Sequence, residues 1–257
     1  MTTQHFAAEL AREAGALARR RFYGNRTIAV NHKLNGELVT DVDREVENLI
    51  ISLVREKFPK HGILGEESGL SGNQNECWVI DPIDGTTNFV CRYLSCSVSV
   101  AFCRKGRPVV AAIHDIAANE TFFAASGEGA YLNNQRLRVT TTTTVGKSLF
   151  LASGVINGKG MWPLIESMAR RSMGMRRTGS TALDMATVAA GRADAMLCGP
   201  VKFWDVAAGA LLIREAGGLI SDTEDHTSFA FGEPTLPFVA GTPGVFTAYL
   251  HEMKKHQ

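Results

Sequence analysis

The sequence predicts a globular protein of the α/β type, in which helices pack on two β-sheets that meet at a cleft. The composition favours a sizeable core, because 45% of the 257 residues are hydrophobic and only 21% are charged. The order of the patterns gives the class. Two amphipathic helices and a run of alternating strands come first, and strands and helices then alternate in the second half of the chain.

Two helices are predicted near the start of the chain. Residues 5–23 place apolar side chains at helical spacing, with charged side chains on the other faces. Residues 41–58 form a second apolar stripe, with Thr40 as the predicted N-cap and Pro59 as the stop signal. We therefore expect both helices to bury one face against a sheet.

Several strands follow these helices. The apolar run 77–80 predicts a buried strand, and Asp81 directly follows it. Residues 96–104 alternate small polar with apolar side chains, and similar segments at 109–113 and 121–125 follow after turn signals. We expect these three segments to form an antiparallel meander.

A run of five threonines at 140–144 marks the predicted boundary between two halves, 1–144 and 145–257. In the second half the patterns alternate between strands and helices. Strands are predicted near 148–152 and 193–197, and helices near 161–171, 181–190 and 206–216.

Composition also sets expectations about partners and location. The formal net charge of +1 argues against strong sequence-independent attraction to nucleic acid or to an anionic membrane, so we expect neither as a partner. No apolar stretch approaches the roughly 18 residues of a membrane span. Five cysteines without a CxxC pair, and a start that does not resemble a secretory signal, predict a cytoplasmic protein without a disulfide framework.

Acidic residues stand at positions where the backbone would turn them outward. Glu66 lies in a glycine-flanked turn, Asp81 and Asp84 straddle Pro82 after the predicted buried strand, and Asp205 opens a predicted helix. Hard divalent cations such as Mg²⁺ bind carboxylate oxygens, water and phosphate. Taken together, these residues predict a metal site to which both halves of the chain contribute.

Residues 85–87, Gly-Thr-Thr, offer backbone N–H groups and hydroxyls in a tight turn, as binding of a phosphate group requires. The histidines form no zinc motif. Pro82 occupies the place that the nucleophile holds in aspartyl-phosphate phosphatases, so we expect no protein nucleophile.

Each acidic residue also has a purely structural interpretation. Asp43, in the first turn of the second helix, and Asp205 would serve as helix caps. Asp84 followed by Gly85 is a common turn pair, and Glu66 would lie in a solvated loop. We favour the metal–phosphate site because all of these positions coincide with strand ends, helix starts and Gly/Thr turns.

Three motifs resemble a known family. They are residues 65–68 (GEES), residues 78–89 (WVIDPIDGTTNF), and residues 204–209 (WDVAAG) leading into 215–218 (EAGG). In order and spacing they resemble the inositol monophosphatase family, within a lithium-sensitive, Mg²⁺-dependent superfamily that includes the fructose-1,6-bisphosphatases. The resemblance covers nearly the whole chain. It implies a layered αβαβα sugar-phosphatase-like fold, with an N-terminal α+β half, a C-terminal α/β half and commonly a homodimer.

The resemblance also implies the metal ligands. Glu66, Asp81 and the backbone carbonyl of Ile83 would hold one Mg²⁺, and Asp81, Asp84 and Asp205 a second, with two or three ions in each site. A water oriented by Glu66 and by Thr86 would attack phosphorus in line, and no protein nucleophile would be needed.

In the same family Asp43 pairs with Thr86, and the N–H groups of Gly85, Thr86 and Thr87 grip the phosphate. The implied activity is hydrolysis of a small phosphomonoester, with inhibition by lithium.

The alcohol part of the substrate would contact Ser180, Thr181, Ala182 and the position that Cys198 occupies. Inositol-selective members usually carry a glutamate at that last position, and a thiol is a poor acceptor. The expected substrate is therefore an inositol monophosphate-like alcohol without tight inositol selectivity. Histidinol phosphate, a 3′-phosphoadenosine 5′-phosphate nucleotide and fructose 1,6-bisphosphate stay open. A non-catalytic metal-binding scaffold is a further alternative, which the presence of both Asp43 and Thr86 disfavours.

Overall fold

A computed structural model describes residues 3–33, 36–154, 161–229, 231–232 and 235–256. Within these residues it has seven α-helices, which are α1 (Thr3–Tyr23), α2 (Asp41–Lys57), α3 (Thr86–Val90), α4 (Met161–Arg171), α5 (Thr181–Ala189), α6 (Phe203–Glu215) and α7 (Pro243–Lys255). The first ten strands are β1 (Val30–His32), β2 (Leu38–Thr40), β3 (Gly62–Gly65), β4 (Gly69–Ser71), β5 (Glu76–Asp84), β6 (Ser97–Arg104), β7 (Arg107–Asp115), β8 (Glu120–Ala125), β9 (Gly129–Leu132) and β10 (Gln135–Arg136). A 3-10 turn, Val145–Lys147, then precedes β11 (Leu149–Ser153), β12 (Gly174–Arg176), β13 (Ala195–Cys198), β14 (Leu219–Asp222) and β15 (Phe238–Gly241).

Most of these strands form two sheets. The larger sheet has the strand order β10-β9-β8-β7-β6-β5-β3-β4, and the predicted meander is its antiparallel β6-β7-β8 segment. Among the described residues of this sheet, only β3 and β5 pair in parallel. The smaller sheet has the order β12-β11-β13-β15-β14, with β12, β11 and β13 parallel and the last two pairings antiparallel. Strands β1 and β2 pair separately.

Helices and sheets alternate in five layers, which confirms the αβαβα fold. Helices α1 and α2 cover one face of the larger sheet, α5 and α6 lie between the two sheets, and α4 and α7 cover the far face of the smaller sheet. Three apolar cores fill the junctions between the layers, one on each outer side and one that extends across the α5–α6 layer to both sheets. The middle core joins residues of both sheets through α5 and α6, so residues 1–144 and 145–257 share buried surface. The division at residue 144 stays a prediction.

Two boundaries differ from the predictions in ways that matter for the site. Strand β5 does not end before Asp81 but continues to Asp84. Helix α6 begins at Phe203, so Asp205 lies inside its first turn. Periodicity gave no signal for either extension, because Pro82 interrupts the apolar run and the acidic residue interrupts the helical stripe. None of the helices in the described part of the chain is long and apolar enough to cross a membrane.

Candidate active site

Strand β5 supplies two of the predicted metal ligands. Asp81 is opposite Ser99 and Asp84 is opposite Ser97 on the neighbouring strand β6. Between these two pairs the chain advances by three residues on β5 but by only two on β6. Pro82 lies inside this irregularity, where its missing N–H does not interrupt the ladder. Residues three apart on a regular strand face opposite sides, but the extra residue of a bulge brings them to one side.

Asp81 is the most enclosed carboxylate of the group. Its exposure is 1%, and its Oδ1 atom has no hydrogen-bond partner among the described residues. Burial raises the pKa of this carboxyl well above its usual value, and the charges of three neighbouring carboxylates raise it further. Those neighbours are Glu66, Asp84 and Asp205. A buried carboxylate oxygen without a donor is costly unless a cation or a proton satisfies it.

Asp84 joins the two halves of the chain. Its carboxylate accepts hydrogen bonds from the Ser180 hydroxyl, from the Thr181 backbone N–H at 3.2 Å and from the Ala182 backbone N–H at 2.8 Å. These groups form the start of α5, where unpaired N–H groups favour an anion. Burial raises the pKa of Asp84, and these hydrogen bonds oppose the shift.

Glu66 follows β3 in a turn that Glu47 fixes by accepting the N–H groups of Glu67 and Ser68. The Lys33 ammonium lies 2.7 Å from Glu66 Oε1 and 2.5 Å from Glu67 Oε1. Burial raises the pKa of Glu66 to about 7, although Lys33 opposes that shift. The lysine thus places one positive charge beside this carboxylate.

Asp205 comes from the smaller half, at the third position of α6. Its Oδ2 atom accepts the Lys202 N–H at 2.8 Å, so it also caps the helix, as the structural interpretation expected. Burial raises the pKa of Asp205 well above its usual value, and the charges of Asp84 and Glu66 add to this shift. Asp205 therefore caps α6 and also belongs to the acidic group.

Asp43 and Thr86 are in direct contact. The Thr86 hydroxyl lies 3.2 Å from Asp43 Oδ1 and 3.1 Å from the Ile83 carbonyl oxygen. The other oxygen of Asp43 accepts the Thr40 N–H at 2.8 Å, which completes the capping box of α2. The hydroxyl, the carboxylate and the carbonyl thus meet at the end of β5.

Gly85 turns the chain from β5 into α3. Its φ is +89°, in the left-handed region that favours glycine. A Cβ atom there would lie 3.0 Å from the Ser95 carbonyl oxygen and 3.1 Å from that of Gly179. The turn exposes Thr87 and leaves Gly85 and Thr86 half-buried at the start of the helix.

The predicted substrate segment is mostly buried. Ser180, Ala182 and Cys198 have no exposed surface, and Thr181 is 7% exposed. Burial and then the nearby carboxylates raise the pKa of the Cys198 thiol well above its usual value, so it stays neutral. In this structure Ser180, Thr181 and Ala182 hold Asp84, and their role toward a substrate stays a prediction.

Sequence reasoning missed two charged residues of this region. Lys33 precedes α2 in an irregular segment without a motif, so only the fold brings it to Glu66. Asp184 lies in α5, where burial raises the pKa of its carboxyl to about 7 and leaves Oδ2 without a partner among the described residues. A carboxylate between Leu183 and Met185 in an apolar helix is the signal that would have found it.

The donor set suits a hard divalent cation, because it consists of carboxylate, carbonyl and hydroxyl oxygens. The unpaired oxygen of Asp81 and the mutually raised pKa values agree with this chemistry. Among the described residues, however, no three His, Cys, Asp or Glu side chains are already arranged around one point as ligands. Asp84, Glu66 and Asp205 instead each accept a hydrogen bond from a donor of the protein itself. The residues are therefore of the right chemical type to bind such an ion. Their side chains would have to leave their present hydrogen bonds to do so.

Solved structures share this layered arrangement. An IMPase from Thermotoga maritima superimposes with a TM-score of 0.89 at 30% identity, covering 99% of this chain and 98% of that one. Inositol monophosphatase II of Staphylococcus aureus, solved with bound inositol monophosphate, gives a TM-score of 0.83 at 25% identity, with 98% and 94% covered. The fold is therefore that of the inositol monophosphatases. The sequence model of the inositol monophosphatase family matches residues 2–255, and the chain belongs to that family.

A curated relative carries a different kind of name. Nus factor SuhB of Escherichia coli K12 is 39% identical in an alignment of 257 positions that covers 97% of this chain and 95% of the relative. That name assigns the relative to transcription, so the prediction that excluded nucleic-acid partners was wrong. Net charge averages over the whole surface, and it therefore cannot exclude local patches or contacts through other proteins.

Proposed function

We propose that this chain is a Mg²⁺-dependent phosphomonoesterase that hydrolyses a small phosphorylated alcohol of the inositol monophosphate kind. The observation that carries the proposal is a group of four carboxylates, two buried and two half-buried, in which the charges of the group raise the pKa of Asp81 and of Asp205. They come from the turn after β3, from β5 and from α6, and burial raises the pKa of each one. Such a group is costly in a folded protein unless cations neutralise it, and costly arrangements of this kind cluster at functional sites.

The carboxylates of Glu66, Asp81, Asp84 and Asp205 and the carbonyl of Ile83 would hold the ions. When bound, Mg²⁺ at such a site supplies a lowered pKa for water and stabilises negative charge on the phosphoryl oxygens. Glu66 would orient the attacking water and accept its proton. Thr86 donates its proton to Asp43 or to Ile83, so its oxygen is free to accept one from that water. The first N–H groups of α3 would bind the phosphate.

The decisive variant is Asp81→Asn, because Asp81 Oδ1 has no donor to lose and the amide matches the carboxylate in size. We expect phosphate release from inositol 1-phosphate to fall by at least about a hundredfold, with the thermal unfolding midpoint unchanged or raised. Asp222→Asn is the matched control: Asp222 is also buried, but it accepts the Glu224 and His226 N–H groups at the end of β14. Full activity of Asp81→Asn at saturating Mg²⁺ would rule the proposal out.

A small phosphorylated polyol is the proposed substrate. The Staphylococcus aureus relative binds inositol monophosphate, which supports a phosphorylated polyol here. The buried Cys198 offers only a weak acceptor for hydroxyl groups and argues for loose selectivity. Release rates from inositol 1-phosphate, histidinol phosphate, 3′-phosphoadenosine 5′-phosphate and fructose 1,6-bisphosphate, measured side by side, would rank the alternatives. A preference of orders of magnitude for one of the last three would replace the inositol phosphate in the proposal.

Lithium inhibition belongs to the same proposal. Li⁺ carries one charge where Mg²⁺ carries two, so it would occupy the second metal position, formed by Asp81, Asp84 and Asp205, without stabilising the phosphoryl oxygens equally well. We expect millimolar LiCl to lower the rate of phosphate release, with matched NaCl as the control. A rate that is the same in both salts at limiting Mg²⁺ would contradict this assignment.

A second candidate function is participation in transcription, which the name of the Escherichia coli relative favours. The two functions need different residues, so Asp81→Asn separates them: it should end phosphate release and leave binding to transcription components intact.

We also propose a cytoplasmic homodimer, for which the exposed Tyr93 and Leu94 offer apolar surface. Light scattering of the purified protein measures its mass directly.

A further inference from the structure

A second concave site lies away from the carboxylates, between α6 and the larger sheet. Its volume is about 360 Å³, and it is bounded by the start of β7, by Ser126, by one face of α6 and by residues 227–229. This volume lies within the range of small-molecule sites, which are mostly apolar with a few placed polar groups.

Two arginines without an ion-pair partner among the described residues border this pocket. Neither Arg107 nor Arg214 forms an ion pair or a side-chain hydrogen bond with any described residue, although other arginines of the chain do. Partial burial lowers the pKa of Arg214, and the positive charge of Arg107 lowers it further. Glu215 also borders the pocket, but its carboxylate accepts the N–H groups of Gly127 and Gly129 at 2.8 and 2.9 Å.

The remaining wall is largely apolar and partly aromatic. Phe203 and Phe229 line it together with Ala207, Ala210 and Leu211. On a helix of 3.6 residues per turn, the α6 members of this wall lie on the face opposite Asp205. The pocket is therefore separate from the carboxylate site, with α6 between them.

We propose that this pocket binds a small phosphomonoester that carries a flat apolar group, at a site distinct from the catalytic one. Two unpaired guanidiniums match the two negative charges of a phosphomonoester, and arginine binds phosphate oxygens through paired N–H groups. The hydroxyls of Ser126, Thr227 and Ser228 add donors at the rim. The aromatic and alanine wall accommodates a ring. This inference goes beyond the proposed function and does not depend on turnover.

Calorimetric titration of the full-length protein in EDTA tests the proposal, because without metal the carboxylate site repels phosphate and cannot hydrolyse the probe. Phenyl phosphate is the probe, with inorganic phosphate and phenyl sulfate as comparisons that lack the ring or the second charge. We expect saturable binding of phenyl phosphate that weakens about tenfold or more in Arg107→Gln and in Arg214→Gln. The control Arg20→Gln changes an exposed arginine on α1 and should bind as the unchanged protein does.

Three results would overturn the assignment. One is the absence of saturable binding of phenyl phosphate to the unchanged protein. A second is that both pocket variants bind phenyl phosphate as tightly as the unchanged protein does, while their thermal unfolding midpoints establish that they are folded. The third is inorganic phosphate or phenyl sulfate binding as tightly as phenyl phosphate, which would mean that the apolar wall or the second charge is not used.

Discussion

At the scale of single residues, the contact between Thr86 and Asp43 links the turn at residues 85–87 to α2. Both residues were singled out in the sequence, and the bond between them followed only from the family resemblance. Thr86 lies 43 positions after Asp43, so no local pattern relates the two. The structure supplies the reason for their meeting: the capping box of α2 fixes Asp43, and the Gly85 turn fixes Thr86.

The substitution Thr86→Val removes this hydroxyl with little change of volume. We expect kcat to fall about a hundredfold while KM changes little, because the hydroxyl would act on the attacking water and not on the bound alcohol. Thr247→Val, at an exposed threonine of α7, is the matched control. Steady-state kinetics on inositol 1-phosphate measure both constants. A variant that retains its kcat would remove Thr86 from the proposed mechanism.

At the scale of elements, the chain forms the site by ending strands and starting helices at one place. The sequence was sufficient to predict α1, α2 and the β6-β7-β8 meander, because their periodicity extends over many residues. It did not reveal the short strands β12, β14 and β15, whose three or four residues carry no period of their own. It also missed that Ser180, Thr181 and Ala182 hold Asp84, since this contact joins elements 96 to 98 positions apart.

The turn at Gly85 allows a test at this scale. Gly85→Ala would strain the left-handed backbone and also press a Cβ atom against two carbonyl oxygens. Gly127→Ala is the matched control, because Gly127 has a similar φ of +80° and no atom within 4 Å of an added Cβ. We expect about 1 kcal/mol of destabilisation in the control and clearly more in Gly85→Ala, with a loss of activity only in the latter. Urea unfolding and phosphate release measure the two effects, and equal losses in both variants would contradict the role of the close contact.

At the scale of the whole molecule, the five layers depend on how closely α1 packs on the larger sheet. Gly15 of α1 lies directly over the ring of His114 on β7, since an added Cβ would come within 2.0 Å of that ring. His114 Nδ1 pairs with the Thr121 hydroxyl at 2.9 Å, and Nε2 has no partner among the described residues. Periodicity predicted the helix and the strand, but only the fold reveals that a titratable ring lies at their contact.

His114 should therefore make the stability of the protein depend on pH. Burial, with the charges of Arg12 and Arg19, lowers the pKa of this imidazole from 6.5 to about 4. Between these two values the imidazole binds a proton in the unfolded chain but not in the folded protein. The contribution to stability is therefore full above the unfolded pKa and falls as the pH decreases from about 6.5 to about 4. Between about pH 7.5 and about pH 5 this one group should cost roughly 2 kcal/mol of unfolding free energy.

Urea unfolding at these two pH values, compared between variants, isolates the contribution of His114 from that of the carboxylates. His114→Gln keeps a polar partner for Thr121 and removes the titration, so its loss of stability on acidification should be smaller than that of the unchanged protein. The control His251→Gln alters an exposed histidine of α7 and should leave the loss as it was. If all three proteins lose the same free energy between the two pH values, folding does not lower the pKa of His114, and the close packing of α1 on β7 tolerates its charge.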